Sequence, residues 1–352
     1  MNAPMMPRLA LLAITFVSSL APAQDIRIGV FGLFRPVELT VSSATGSAAI
    51  LHAGEQTITL DASSSPYKAK IKAADAGLLV QLGASSLNST SIMLTSRGNG
   101  PVDFVLSIPG KITRHYRGRL EISNVSGGLV PVVVMDLESA VASVVAAESL
   151  PETPIEALKA QAVAARSYFV AGKGRHQDFD FCDTTHCQFL RGAPAPESPA
   201  TKSAMETRGI VIAFESHTLA AMYTRSCSGR TRTPSNVGLP TGRYPYFEVE
   251  CPYCRQHPTR WQTRIPAQDA RELRISDEAA RLHIDRRLGW NTVPSDDFSL
   301  RREGEDVILT GVGQGHGIGL CQAGAKAMAE HGSDFRHIVA HYYPNTEFVR
   351  LK

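Results

Sequence analysis

The feature that most constrains this chain is a change of hydrophobic period near Asp136. Before it, apolar and polar residues alternate with a period of two, in DIRIGV at 25–30, VELTV at 37–41, QTITL at 56–60, YKAKI at 67–71 and LEIS at 120–123. Gly, Ser and Asn clusters separate these runs, which is the pattern of half-buried strands joined by turns. The apolar run at 129–135 fits a strand buried on both faces, although Pro131 would also suit an edge or a bulge. After Asp136 the spacing becomes helical, with Leu137, Val141, Val144 and Val145 on one face. Strands followed by helices predict an α+β fold, with a β-rich N-terminal lobe over 24–119 and a mixed core over 120–352.

A second helix opens with strong punctuation. Thr153 is placed to cap, Pro154 to occupy the first helical position, and Glu156 to complete a capping box. Glu148 therefore falls on the short connection between two apolar helices. A carboxyl withdrawn from water at that point would hold its proton toward neutral pH and could donate it.

The N-terminus sets the compartment. Arg8 precedes an apolar run at 9–20 that ends in Ala21-Pro22-Ala23, the arrangement of a signal peptide removed after residue 23. The run is well short of the ~20 residues that span a bilayer. The chain is thus expected to be exported, periplasmic or associated with the cell wall, without a transmembrane anchor. A net charge of +3 and the lack of a long Lys/Arg run exclude an obligate nucleic-acid binder. The charge-dense stretch 260–302 reads as a mixed-sign helix face rather than a polyanion-binding patch. Asn88-Ser-Thr90 and Asn124-Val-Ser126 match a glycosylation pattern too short to carry weight.

Export also changes how the six cysteines are read, because disulfides persist outside the cytoplasm. His176, Cys182, His186 and Cys187 lie within twelve residues and could close a tetrahedral zinc site, provided a turn lets the adjacent His186 and Cys187 face the same ion. A Cys182–Cys187 disulfide is one rival. Another is a zinc site shared between Cys182, Cys187 and the Cys251-Pro-Tyr-Cys254 pair. Any such zinc would be structural, since four protein ligands leave no open position. An open-site zinc hydrolase motif is absent from the sequence.

Three blocks together resemble the SpoIID/LytB family. The first runs from Val144-Val-Ala-Ala-Glu148 through Pro154 to EALKAQAVAAR at 156–166 and Tyr168. The second is YTRSCSGRT at 223–231 with Tyr244-Pro-Tyr246, and the third is GVGQGHGIGLCQAGA at 311–325 with HYYP at 341–344. The resemblance covers about residue 120 to the C-terminus, and it departs from the family where Cys321 stands in place of a usual Ser.

The resemblance implies an exported lytic transglycosylase acting on peptidoglycan glycan strands, a carbon–oxygen lyase, with Glu148 as the single general acid and base. The alternative it leaves is a non-catalytic glycan-binding enhancer of a cell-wall amidase. His316, Gln322, Arg166 and Tyr168 are the candidate substrate-binding residues, the first two within a glycine-rich stretch that lets backbone approach a ligand closely. Some family members carry His and Cys zinc ligands in the region of His176, Cys182, His186 and Cys187, which favours zinc there.

Overall fold

The computed structural model describes residues 24–44, 46–61, 63, 67–75 and 77–352. The leader expected at 1–23 lies outside the described residues. The fold is α+β and begins with a large curled sheet. Its strands are β1 (Asp25–Gly29), β2 (Glu38–Ser43), β3 (Ala48–Ala53), β4 (Gln56–Asp61), β5 (Lys68–Ala74) and β6 (Gly77–Leu82). They are followed by β7 (Ser85–Ser89), β8 (Ser91–Thr95), β9 (Val102–Ile108), β10 (Ile112–Val125) and β11 (Gly128–Asp136). Alternation places Leu39 and Val41 of β2, and Val102, Phe104, Leu106 and Ile108 of β9, on the buried side.

The long strand β10 joins the two halves of the sheet. Its first half pairs with β9 and its second half with β8, while β11 runs along residues 119–125. β11 is an interior strand, paired antiparallel with both β1 and β10. Pro131 is accommodated because it lies just past the end of β1, where its carbonyl accepts from the Val30 N–H at 2.9 Å. The donor it lacks would face that same strand end and breaks no ladder.

The chain passes from β11 straight into α1 (Leu137–Glu148), and the Asp136 side chain caps it by accepting from the Glu138 and Ser139 N–H groups. α2 (Ile155–Ala171) starts one residue later than the capping-box reading implies. Pro154 is its N-cap, the Thr153 hydroxyl donates to the Leu150 carbonyl at 2.7 Å, and the Glu156 carboxylate pairs with Lys159 and accepts from the Phe335 N–H. Pro154 is itself extended, with φ −58° and ψ 151°, so the helix begins only at Ile155 and Thr153 falls outside the cap position. α2 is apolar all round because it separates two cores. Leu158, Ala162, Ala165 and Phe169 face the sheet and α1, whereas Ala157, Ala160, Val163 and Ala164 face the C-terminal elements.

Short elements complete the molecule. β12 (Phe181–Cys182) runs parallel to β1 and extends the sheet. α3 (Pro199–Glu206) packs on α1 and α2. β13 (Ile210–Phe214) pairs with β14 (His217–Thr218) and with the C-terminal β20 (Glu347–Arg350). β15 (Tyr223–Thr224) lies parallel to β19 (Leu320–Cys321), between α4 (Pro252–Gln256) and the pair α7 (Gln322–Glu330) and α8 (Phe335–Tyr342). A small lobe contains β16 (Arg260–Pro266), α5 (Ala267–Ala270), α6 (Glu278–Leu288), β17 (Phe298–Glu303) and β18 (Asp306–Val312), with its own core around Ile265, Ile284, Phe298 and Leu309. Here the expected solvated charge face is partly turned inward. Arg281 of α6 is buried between Glu278 and Asp285, and Arg232 pairs with the fully buried Asp296. No helix among the described residues is long and apolar enough to cross a membrane.

Candidate active site

A cleft of about 1250 Å³ lies between the sheet edge, the C-terminal elements and the small lobe, and Glu148 is among its lining residues. Glu148 is the last residue of α1, a half-buried side chain whose carboxyl is surrounded by protein. Burial is the main influence on that carboxyl and raises its pKa from 4.5 to about 7. Three weaker influences favour the carboxylate: the Phe189 N–H, the Tyr223 hydroxyl and the Arg225 charge, in that order. The negative end of the α1 dipole adds to the case for the neutral acid. At neutral pH the group can therefore both give and take a proton.

The surroundings of Glu148 come from distant parts of the sequence. The Phe189 N–H donates to its Oε1. Tyr223 on β15 donates to Gln188 Oε1 at 3.0 Å, and the Gln188 amide is in turn held by the Ala165 carbonyl at 3.3 Å. Gln322, at the start of α7, donates to the Glu148 carbonyl at 3.0 Å and so satisfies one of the acceptors a helix end leaves free. Sequence reasoning missed Tyr223, Gln188 and Phe189 as site residues. Tyr223 opens the second family-like block and could have been flagged there, but nothing in the sequence places 188–189 against Glu148.

The four candidate binding residues separate. His316 and Gln322 line the cleft, as does Tyr168, whose hydroxyl is engaged by Arg175. The His316 Nδ1 accepts from the Ile318 N–H at 3.0 Å, so this imidazole is neutral, and burial lowers its pKa further. The turn carrying it needs glycine. Gly319 has φ 70°, and a Cβ there would lie 1.9 Å from the Met222 carbonyl oxygen. Arg166 is elsewhere, fully buried beneath α2. Its guanidinium bonds the Glu138 carboxylate (Nε to Oε1 3.0 Å) and the Ala204 and Ile210 carbonyls, and it does not line the cleft.

Other acids line the cleft, and each has a cationic partner. Asp183 pairs with Arg114 at 2.9 Å and accepts from the Phe31 N–H. Glu278 and Asp285 both pair with Arg281. Glu148 is the cleft carboxyl held by hydrogen bonds rather than by a paired cation.

Beside the cleft, His176, Cys182, His186 and Cys187 bring their ligand atoms within 4.8 Å of one another. A backbone bond from Cys187 N–H to the Thr184 carbonyl closes the turn that lets His186 and Cys187 face the same point. The His176 Nε2–Cys187 Sγ and His186 Nδ1–Cys182 Sγ separations are 3.3 and 3.8 Å. Ligands ~2.0–2.3 Å from a tetrahedral zinc stand about 3.6 Å apart, so this donor set fits the ion. All six cysteines are unbridged, and Cys251 and Cys254 do not join Cys182 and Cys187: they belong to a second group with Cys227 and Cys321.

The arrangement defines a class: an α+β protein presenting one desolvated glutamic acid in an open cleft. Comparison with known proteins then shows what the chain resembles. Residues 125–214 match the family model SpoIID, described as Stage II sporulation protein. An uncharacterized protein of Brachyspira hyodysenteriae is 28% identical over 66% of this chain and 72% of its own length. Stage II sporulation protein D of Bacillus amyloliquefaciens is 27% identical over 60% of the chain and 73% of its own. The Amidase enhancer of Bacillus subtilis is 37% identical, over 17% of this chain and 8% of its own length. The match over 125–214 and these likenesses support a SpoIID/LytB family.

Proposed function

We propose that this is an exported cell-wall lyase, a lytic transglycosylase that cuts the MurNAc–GlcNAc linkage of peptidoglycan glycan strands. The observation that carries the reading is the state of Glu148, a carboxyl with a pKa raised to about 7 at the floor of a cleft wide enough for sugar rings. Protonated Glu148 donates to the glycosidic oxygen as the C1–O bond breaks and positive charge develops at C1 of the muramic acid. The resulting carboxylate then takes the proton of the same sugar's C6 hydroxyl, whose oxygen closes on C1. The products are a 1,6-anhydro end and a free hydroxyl on the departing GlcNAc, and Glu148 is reprotonated. Because an internal hydroxyl replaces water, no second free carboxylate is required, which agrees with the ion-paired state of Asp183, Glu278 and Asp285.

His316 and Gln322 would contact the sugar from the glycine-rich wall. His176, Cys182, His186 and Cys187 would hold a structural zinc, which supplies a cross-link and no reactive position. The deciding experiment incubates purified glycan strands with wild-type protein and with Glu148→Gln, then reads the ends by mass spectrometry. Anhydro ends from the wild type and none from the variant are expected. Equal release by both, or hydrolysed reducing ends, would overturn the assignment.

The segment shared with the Amidase enhancer favours a second reading, a glycan-binding partner of a cell-wall amidase. In that case neither protein would produce anhydro ends, and both would stimulate an added amidase equally.

A further inference from the structure

Four cysteines scattered over nearly a hundred residues converge behind the Glu148 cleft. Cys227 follows β15, Cys251 and Cys254 flank the first turn of α4, and Cys321 ends β19. Each is at most 1% exposed, and their sulfurs all lie within 4.8 Å of one another. We infer that these four thiolates form a second metal site, a closed tetrathiolate zinc centre distinct from the His176 group.

Three observations carry this. The first is spacing. Sulfurs bound ~2.3 Å from a tetrahedral zinc stand about 3.8 Å apart. The Cys254–Cys321 Sγ separation is 3.5 Å, too long for a bridge and right for two ligands of one ion. Cys251-Pro-Tyr-Cys254 supplies two ligands from a single turn, the usual economy of such sites.

The second is the polar surroundings of the sulfurs. The Cys227 N–H donates to Cys321 Sγ at 3.4 Å, the Tyr342 hydroxyl stands 3.5 Å from Cys251 Sγ, and the Ser226 hydroxyl 3.6 Å from Cys254 Sγ. The Cys227 N–H is a donor aimed at sulfur and both hydroxyls are able to donate, the polar outer layer that a thiolate metal centre requires. The third is a built cradle. A Cβ at Gly324 would come 2.6 Å from Cys251 Sγ and 2.0 Å from the Tyr342 hydroxyl oxygen, so α7 can approach the group only through a glycine. An all-sulfur tetrahedral set selects zinc or iron–sulfur chemistry, and sulfurs this close leave room for one ion and not for a cluster of several.

The centre would tie together the segments that face Glu148. Cys321 immediately precedes Gln322, and Cys227 lies two residues beyond Arg225 and four beyond Tyr223. It also accounts for the thiol at 321, where the family resemblance leads one to expect a serine.

The test reads metal, not activity. Wild-type protein, purified without chelators or reductant, is analysed by native mass spectrometry, elemental analysis and zinc X-ray absorption. About two zinc ions per chain are expected, with about three sulfurs and one nitrogen per zinc on average. A Cys251→Ser/Cys254→Ser protein should lose one zinc and shift toward two sulfurs and two nitrogens. One zinc with four sulfurs in the wild type would still support the site, the His176 group being the empty one. One zinc with two sulfurs and two nitrogens, iron in its place, no metal, or a disulfide joining any two of the four cysteines in non-reducing peptide mapping would overturn it. Because the wild type alone decides, a variant that fails to fold leaves the result intact.

Discussion

At the residue scale the molecule is governed by one carboxyl that water does not reach freely. Burial holds Glu148 near 7, above its ordinary 4.5. Between those values the folded protein keeps a proton that the unfolded chain has released, so stability falls as pH rises through the window. Above 7 the loss is complete, at about 3 kcal/mol. Glu148→Gln cannot ionise. It should match the wild type in urea unfolding near pH 4.5 and exceed it by about 3 kcal/mol at pH 8. Equal stability at both pH values would mean that the carboxyl is fully hydrated, and the general-acid reading would fall with it. Tyr223 supplies the complementary change. Its hydroxyl favours the carboxylate, so Tyr223→Phe should raise the Glu148 pKa and move the alkaline fall of activity to higher pH. A carbon-13 titration of the glutamate carboxyls checks the same shift without substrate.

At the scale of elements, the apolar junction of α1, α2 and α3 encloses a buried ion pair. Arg166 of α2 is fully enclosed and bonds Glu138 in the first turn of α1, while Glu138 also accepts from the Gly209 N–H at 3.1 Å. Arg166→Met would leave the Glu138 carboxylate buried without its cation, a loss of about 3–5 kcal/mol. A substrate-binding arginine would behave differently, raising KM with little change in melting temperature; calorimetry of the variant separates the two. The sequence pattern made α1, α2 and the first strands legible because period and capping are local signals. It also isolated Glu148, which local pattern places at a helix end. It did not reveal the burial of Arg166, since a basic residue within EALKAQAVAAR looks the same whether it meets glycan or an acid 28 positions upstream. Thr153 failed as a cap for a comparable reason. Its hydroxyl had a competing acceptor in Leu150, which only the folded turn reveals. Nor could spacing divide the six cysteines into their two groups, because Cys227 and Cys321 are brought to Cys251 and Cys254 by β15–β19 pairing and not by proximity in sequence.

At the scale of the whole molecule, the His176 group and the four-cysteine group each adjoin segments that hold Glu148. The Cys227 group stands behind Tyr223 and Gln322, and the His176 group behind Gln188 and Phe189, the latter only two residues after Cys187. The segment containing Cys187 is otherwise held by the short pairing of β12 with β1, by Asp183 with Arg114 and the Phe31 N–H, by Gln188 with Ala165 and Tyr223, and by Arg114 with the Leu190 carbonyl. Each of these is a short local contact, weak by itself as an anchor for a backbone amide that must stay aimed at Glu148. Cys187→Ser should therefore lower the melting temperature and also release the Phe189 N–H, removing the strongest influence that favours the Glu148 carboxylate. The Glu148 pKa would rise above 7 in this variant although Cys187 bonds His176 and His186 and not Glu148. Differential scanning calorimetry with the carbon-13 titration reads both effects. A variant that unfolds earlier but keeps its Glu148 pKa would show the amide to be held by the other bonds of the segment. Unchanged melting and unchanged pKa together would remove the His176 group from the support of the site.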